Sequence, residues 1–167
     1  NGVTATGTPV ITSGTIDQIY ISTNGSKYNE APTVTIAGDG TGATATSYLV
    51  NISISGGSPT STAIIRGTVK EGEIRSVQIV SGGSGYDEDR ASLVISDPDS
   101  PGRNASLSPT FTNGVLTSIN ILNGGSGYKS VKVVDITNAG SGYTSATATF
   151  STAPVGLSGS FKVPETV

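Results

Sequence analysis

The chain is expected to be all-β: repeated hairpin units forming a β-sandwich or β-prism-like module with almost no helix. Three observations predict this. A turn phrase recurs four times, as Asn24-Gly25-Ser26-Lys27-Tyr28, Gly82-Gly83-Ser84-Gly85-Tyr86, Gly124-Gly125-Ser126-Gly127-Tyr128 and Ala139-Gly140-Ser141-Gly142-Tyr143. Such internal repetition decides the reading of a whole fold. Each copy follows a short run in which apolar and polar residues alternate, the pattern of a half-buried strand. No window carries helix formers at the i, i+3, i+4, i+7 spacing, while Thr, Ser, Val and Ile dominate and suit a pleated surface.

The elements follow in order. Gly14–Ile21 leads into Tyr28, and Pro32-Thr33-Val34-Thr35-Ile36 follows as a second strand. A stretch from Gly40 to Arg66 reads as an insertion with its own strands at Ala43–Ile54 and Thr62–Val69, and Gly56-Gly57-Ser58-Pro59 marks a turn between them. Gly72–Val80 leads into Tyr86, and Ala91–Ile95 follows. Asn113-Gly114 is a strong two-residue hairpin signal, because both positions tolerate positive φ. Val115–Leu122 then leads into Tyr128. Val131–Ile136 follows as a second strand, Val133–Asn138 is both the return strand of Tyr128 and the entry strand of Tyr143, and Thr144–Phe150 closes the series. The tyrosines lie 58, 42 and 15 positions apart, so the units do not stack at the constant length of a solenoid. The expected organisation is an N-terminal arm or linker at 1–13 and a β domain at 14–150, divisible at 70/71 into 14–70 and 71–150. An extended C-terminal arm follows at 151–167.

Composition narrows the function. Of 167 residues only 13% are charged, about half the usual share, and the net charge is −3. The nine basic residues are scattered singly, which argues against a nucleic-acid partner. No apolar run reaches the length of a membrane span, so membrane insertion is not expected. Cys and His are absent, which removes thiolate and Ser-His-Asp chemistry and the usual zinc ligands. Two carboxylates could still cleave a glycosidic bond, but most of the acids sit in turns or on polar strand faces and nothing in the sequence pairs them, so the reading is a non-enzyme. With no Met at residue 1, the chain is expected to be processed or a piece of something longer.

The phrase itself reads as architecture. Gly25, Gly83, Gly85, Gly125, Gly127, Gly140 and Gly142 allow the backbone to turn through positive φ. Tyr28, Tyr86, Tyr128 and Tyr143 are expected to cover the turned backbone and offer a hydroxyl to a nearby carbonyl, as corner posts of the fold. The alternative is a stacking platform for sugars or bases. Phosphate binding is disfavoured, because no helix follows any copy. The one metal expectation is calcium at Asp87, Asp89, Asp97 and Asp99, carboxylates flanking one short strand. Its plain alternative is a solvated loop partly neutralised by Arg90. No other cofactor is expected.

An alternating strand, then Asn/Gly-Gly-Ser-Gly-Tyr, then Pro-Thr-Val-Thr-Ile resembles repeats in virion structural proteins of tailed bacteriophages, notably cyanophage-type tail-fibre, baseplate and appendage proteins. The copies ending at Tyr28, Tyr86, Tyr128 and Tyr143 carry the likeness, over about half the chain. The resemblance implies a structural part on the virion exterior: a fibre, spike, baseplate or decoration module acting by assembly and host-surface attachment. It implies no catalytic residue. The expected partners are copies of the chain itself, a trimer first or a polymer, with other virion or surface proteins and a host glycan. One alternative is a subunit of a secreted bacterial or archaeal filament or adhesin, extracellular and assembled by donating the strand Val3–Thr12. Another is a carbohydrate-binding β module.

Overall fold

The computed structural model describes residues 2–95 and 103–152, and among these there is no helix, hence none long and apolar enough to cross a membrane. The described residues form twelve strands: β1 Thr6–Thr12, β2 Thr15–Thr23, β3 Thr33–Gly38, β4 Thr44–Tyr48, β5 Asn51–Ser55, β6 Ile64–Lys70, β7 Glu73–Ser81, β8 Ser92–Ile95, β9 Arg103–Thr112, β10 Val115–Ser126, β11 Val133–Asn138 and β12 Ala146–Phe150. The chain is all-β, as the sequence predicts.

Three long hairpins, β1–β2, β6–β7 and β9–β10, share one design. Each turns on two residues at positive φ: Ser13-Gly14, Glu71-Gly72 and Asn113-Gly114. A turn with positive φ at both central residues has the twist that matches its flanking strands. Each hairpin also carries two register shifts, one near the turn and one near the open end. Bulges of this kind bend and twist a strand pair, which curls the sheets.

The strands collect into two curled units. In the first, a six-stranded sheet runs β11-β4-β3-β12-β1-β2, and every pairing is antiparallel. Its two ends come back together: Ile16 N–H donates to Ala139 O at 2.8 Å, and Val131 N–H to Asn24 O at 2.9 Å. In the second, a four-stranded sheet β7-β6-β5-β8 meets the β10-β9 ribbon. There β10 lies along β7, with Leu116 N–H donating to Gly82 O at 2.9 Å, and β9 lies beside β8. We call these barrel 1 and barrel 2. Fully buried Ile16, Ile65, Ile74, Leu116 and Val131 belong to their apolar interior.

The partition differs from the expected division at 70/71. Barrel 2, β5 to β10, is inserted between β4 and β11 of barrel 1. The chain crosses out at Leu49–Val50, both 1% exposed, and re-enters before β11, where Lys132 N–H donates to Tyr48 O at 2.8 Å. The stretch expected as one strand over Ala43–Ile54 is therefore two strands in different sheets. Two further expectations are corrected. Residues 6–12, assigned to an N-terminal arm, form β1, which lies between β12 and β2. Pro9 is tolerated beyond Thr6–Gly7, the stretch paired with β12, where a missing N–H breaks no second ladder. The presumed insertion at Gly40–Arg66 supplies β4, β5 and part of β6, and so belongs to both barrels. Of the expected C-terminal arm only Ser151 and Thr152 are described. Ser151 N–H donates to Thr33 O at 2.9 Å, and 153–167 lie outside the described residues.

Two ion pairs among the described residues join the barrels: an exposed one between Lys70 and Glu30 at 3.9 Å, and a partly shielded one between Arg66 and Asp135. Arg66 on β6 grips Asp135 on β11 with two bonds, Nε to Oδ2 at 2.6 Å and Nη2 to Oδ1 at 2.8 Å, while Nη1 donates to Ile65 O. This bidentate fork is partly shielded from water and fixes geometry as well as charge. The bond to Asp135 raises the Arg66 pKa above its ordinary value.

Candidate functional site: the glycine–serine–tyrosine corners

Three of the four phrases build corners from the same parts, and the fourth sets its glycines beside a segment of the same kind. In the first, Ser26 N–H donates to Val3 O at 2.9 Å, and Ala5 N–H donates to the Tyr28 hydroxyl at 2.9 Å. In the second, Ser84 N–H donates to Ser61 O at 2.9 Å, and Ala63 N–H to the Tyr86 hydroxyl at 2.8 Å. In the corner of Tyr143, Ser141 N–H donates to Thr41 O at 3.0 Å, and Ala43 N–H to the tyrosine hydroxyl at 3.3 Å. Around Tyr128, Gly124 and Ser126 stand in register with Ala105 and Arg103. A short extended segment ending in alanine thus lies beside each phrase.

All four tyrosines are buried, with at most 5% of their surface exposed. The expectation had each hydroxyl donating to a carbonyl. At the corners of Tyr28, Tyr86 and Tyr143 it accepts an alanine N–H instead, and the Tyr28 hydroxyl also donates to Ser151 O at 3.2 Å. Each tyrosine's own N–H ties its corner to the far end of a neighbouring strand. Tyr86 donates to Gly114 O, Tyr128 to Gly72 O, Tyr143 to Gly14 O and Tyr28 to Lys129 O, at 3.0 to 3.2 Å. So β7 and β10 cap one another in barrel 2, and β2 and β11 do the same in barrel 1. Removing the Tyr86 hydroxyl leaves the buried Ala63 N–H without that acceptor. Tyr86→Phe is therefore expected to cost about 1–2 kcal/mol, read as a lower urea midpoint at unchanged m-value.

All seven predicted turn glycines take positive φ, between +65° and +87°. Lys27 occupies the place of Gly85, Gly127 and Gly142 in the first copy and also has positive φ, +63°.

Of the expected calcium ligands, Asp87 and Asp89 precede β8, and Asp97 and Asp99 lie outside the described residues. Asp87 shapes its own turn: its carboxylate accepts Asp89 N–H at 3.2 Å and pairs with Arg90 at 3.3 Å. Glu88 reaches the Asn113-Gly114 turn and accepts Gly114 N–H at 2.8 Å. Among the described residues no three His, Cys, Asp or Glu side chains converge on a common point.

Sequence reasoning gave no role to Asp39. It accepts the Thr144 hydroxyl, Thr144 N–H at 2.8 Å and Ser145 N–H at 3.1 Å, tying the end of β3 to the segment after Tyr143. These bonds, the Thr144 hydroxyl first, pull its pKa from 3.8 down to about 2. A depressed carboxylate stabilises the fold above its unfolded pKa, and that contribution fades as pH falls through the folded value. Asp39→Asn should therefore reduce the loss of stability between about pH 4 and pH 2 in acid titrations followed by circular dichroism.

At the junction of the barrels, Glu30, Tyr48, Thr46, Thr68 and Val69 line a hollow of about 240 Å³, with Glu30 its one carboxylate. Ligand pockets usually start at about 300 Å³ with several convergent polar groups. No protein-family model, no curated protein and no solved structure matches the chain.

Proposed function

We propose that this chain is an architectural module of an exterior assembly, a structural part of a tailed-phage virion such as a fibre, spike, baseplate or decoration element, and that it acts by assembly rather than by catalysis. The observation that carries the reading is the corner itself. The four repeated phrases bury their tyrosines and tie each tyrosine N–H to a neighbouring strand, and at three of them the tyrosine hydroxyl is bound to the chain's own backbone as well, so the most repeated feature of the sequence reads as construction. The likeness of the phrase to tailed-phage repeats supplies the class.

Assembly is supported by the surface. Val3, Tyr20, Ile64, Val80, Val94 and Leu122 are large apolar side chains left exposed, and a chain with few large apolar residues gains stability by covering them against copies of itself. The module reading is favoured over strand donation because most of the stretch proposed as donor, Thr6–Thr12, is paired within its own barrel. Light scattering on a sizing column tests the proposal. A discrete mass of three chains is the expected result, and a monomer at all concentrations overturns assembly as the mode of action.

A further inference from the structure

We infer that the module is a nested mechanical device, in which barrel 1 must yield to tension before barrel 2 can feel it. The inference rests on where the chain enters and leaves each barrel.

The two ends of the described fold leave at one corner. Ala5 and Ser151 are joined through a single atom, the Tyr28 hydroxyl, which accepts from Ala5 N–H at 2.9 Å and donates to Ser151 O at 3.2 Å. Just inside, β1 and β12 are neighbours, with Thr6 opposite Thr149 and Gly7 opposite Ala148. Tension between the ends therefore runs through the Tyr28 clamp and the short β1–β12 ladder. It loads those bonds one after another, as a zipper, and goes no deeper while they hold.

Barrel 2 is attached by the same arrangement one level down. Its chain leaves after β4 and returns before β11, and these strands are themselves paired, with Tyr48 opposite Val133 and Ser47 opposite Val134. Lys132 N–H closes the neck on Tyr48 O. While β4 and β11 remain paired, residues 48 and 133 stay together and no extension reaches β5 to β10. The order of yielding follows from connectivity alone, and holds whatever the ends are fastened to.

The test is to stretch the full chain by its two ends in single-molecule force spectroscopy. Two steps are expected in fixed order. The first releases about 60 residues and the second about 85, on the order of 200 Å and 290 Å at roughly 3.4 Å per extended residue. Tyr28→Phe should lower the force of the first step and leave the second unchanged. A disulfide locks the neck selectively, since the chain has no cysteine of its own. Paired antiparallel Cα atoms lie about 4.5–5.5 Å apart, within disulfide reach. Tyr48→Cys with Val133→Cys, oxidised, should keep the first step and abolish the second, and reduction should restore it. Release of the whole chain in one step, the longer step coming first, or a disulfide that abolishes the shorter step would each overturn the inference.

Discussion

Gly83→Ala is expected to destabilise the fold by about 3 kcal/mol, while Gly142→Ala costs about 1 kcal/mol, although both glycines have positive φ and stand in the same phrase. A Cβ on Gly83 would lie 2.5 Å from Ser61 O, 2.7 Å from Ala63 N and 2.9 Å from the Tyr86 ring. Two of these are backbone atoms of the segment held by the tyrosine, so relief requires the corner to open. Gly25 and Gly140 face the same three kinds of atom at similar distances, which makes the close approach a property of the repeat. At Gly142 the nearest such atom is 3.8 Å away, so only the cost of positive φ remains. Lys27 shows that a side chain is accepted at that second position. Urea denaturation of the two variants should give clearly separated midpoints at unchanged m-value.

Leu116→Ala is expected to cost about 3 kcal/mol, within the range for emptying a buried leucine site. Leu116 is 2% exposed and begins the strand that closes barrel 2 against β7, where its N–H meets Gly82 O. Its counterparts are Ile16 and Val131 in barrel 1 and Ile74 in barrel 2, each buried at the start of a strand that faces a neighbouring phrase. The approach there is close: a Cβ on Gly82 would lie 2.4 Å from Leu116 O, and one on Gly124 2.4 Å from Ile74 O. A cavity at this seam finds rigid neighbours and collapses poorly. Ser118→Ala, at an exposed polar position of the same strand, should change stability by less than about 0.5 kcal/mol.

These contrasts show what the sequence could and could not reveal. The absence of helix, the Asn113-Gly114 turn and the place of each tyrosine follow from local signals: alternation, a two-residue turn and a repeated phrase. The strands on either side of a phrase do not pair with one another, and the β1–β2 and β6–β7 hairpins lie across the expected boundaries at 13/14 and 70/71. The alanine segments were hidden, because an N–H bonded to a distant hydroxyl leaves no mark on the side chain that carries it. The crossing at Leu49–Val50 was hidden for a related reason. Two adjacent apolar residues within an alternating run read as one continuous strand, whereas they pass between the barrels, each 1% exposed. The start of the chain is polar and carries no copy of the phrase, so it reads as a linker or a donated strand, whereas pairing with β12 and β2 makes residues 6–12 a strand of the chain's own sheet. The Arg66–Asp135 clamp spans 69 positions and has no local signature.

The central claim is that the repeated phrase is closed inside the fold and holds it together. Amide hydrogen exchange at Ala5, Ala43 and Ala63, followed by NMR, tests it most directly, because these are the N–H groups given to Tyr28, Tyr143 and Tyr86. The account predicts that all three exchange slowly, near the rate set by global unfolding, and that Tyr86→Phe speeds Ala63 while sparing Ala43. Exchange of the three amides as fast as that of exposed loop residues would contradict it, and would leave the tyrosines open to a ligand.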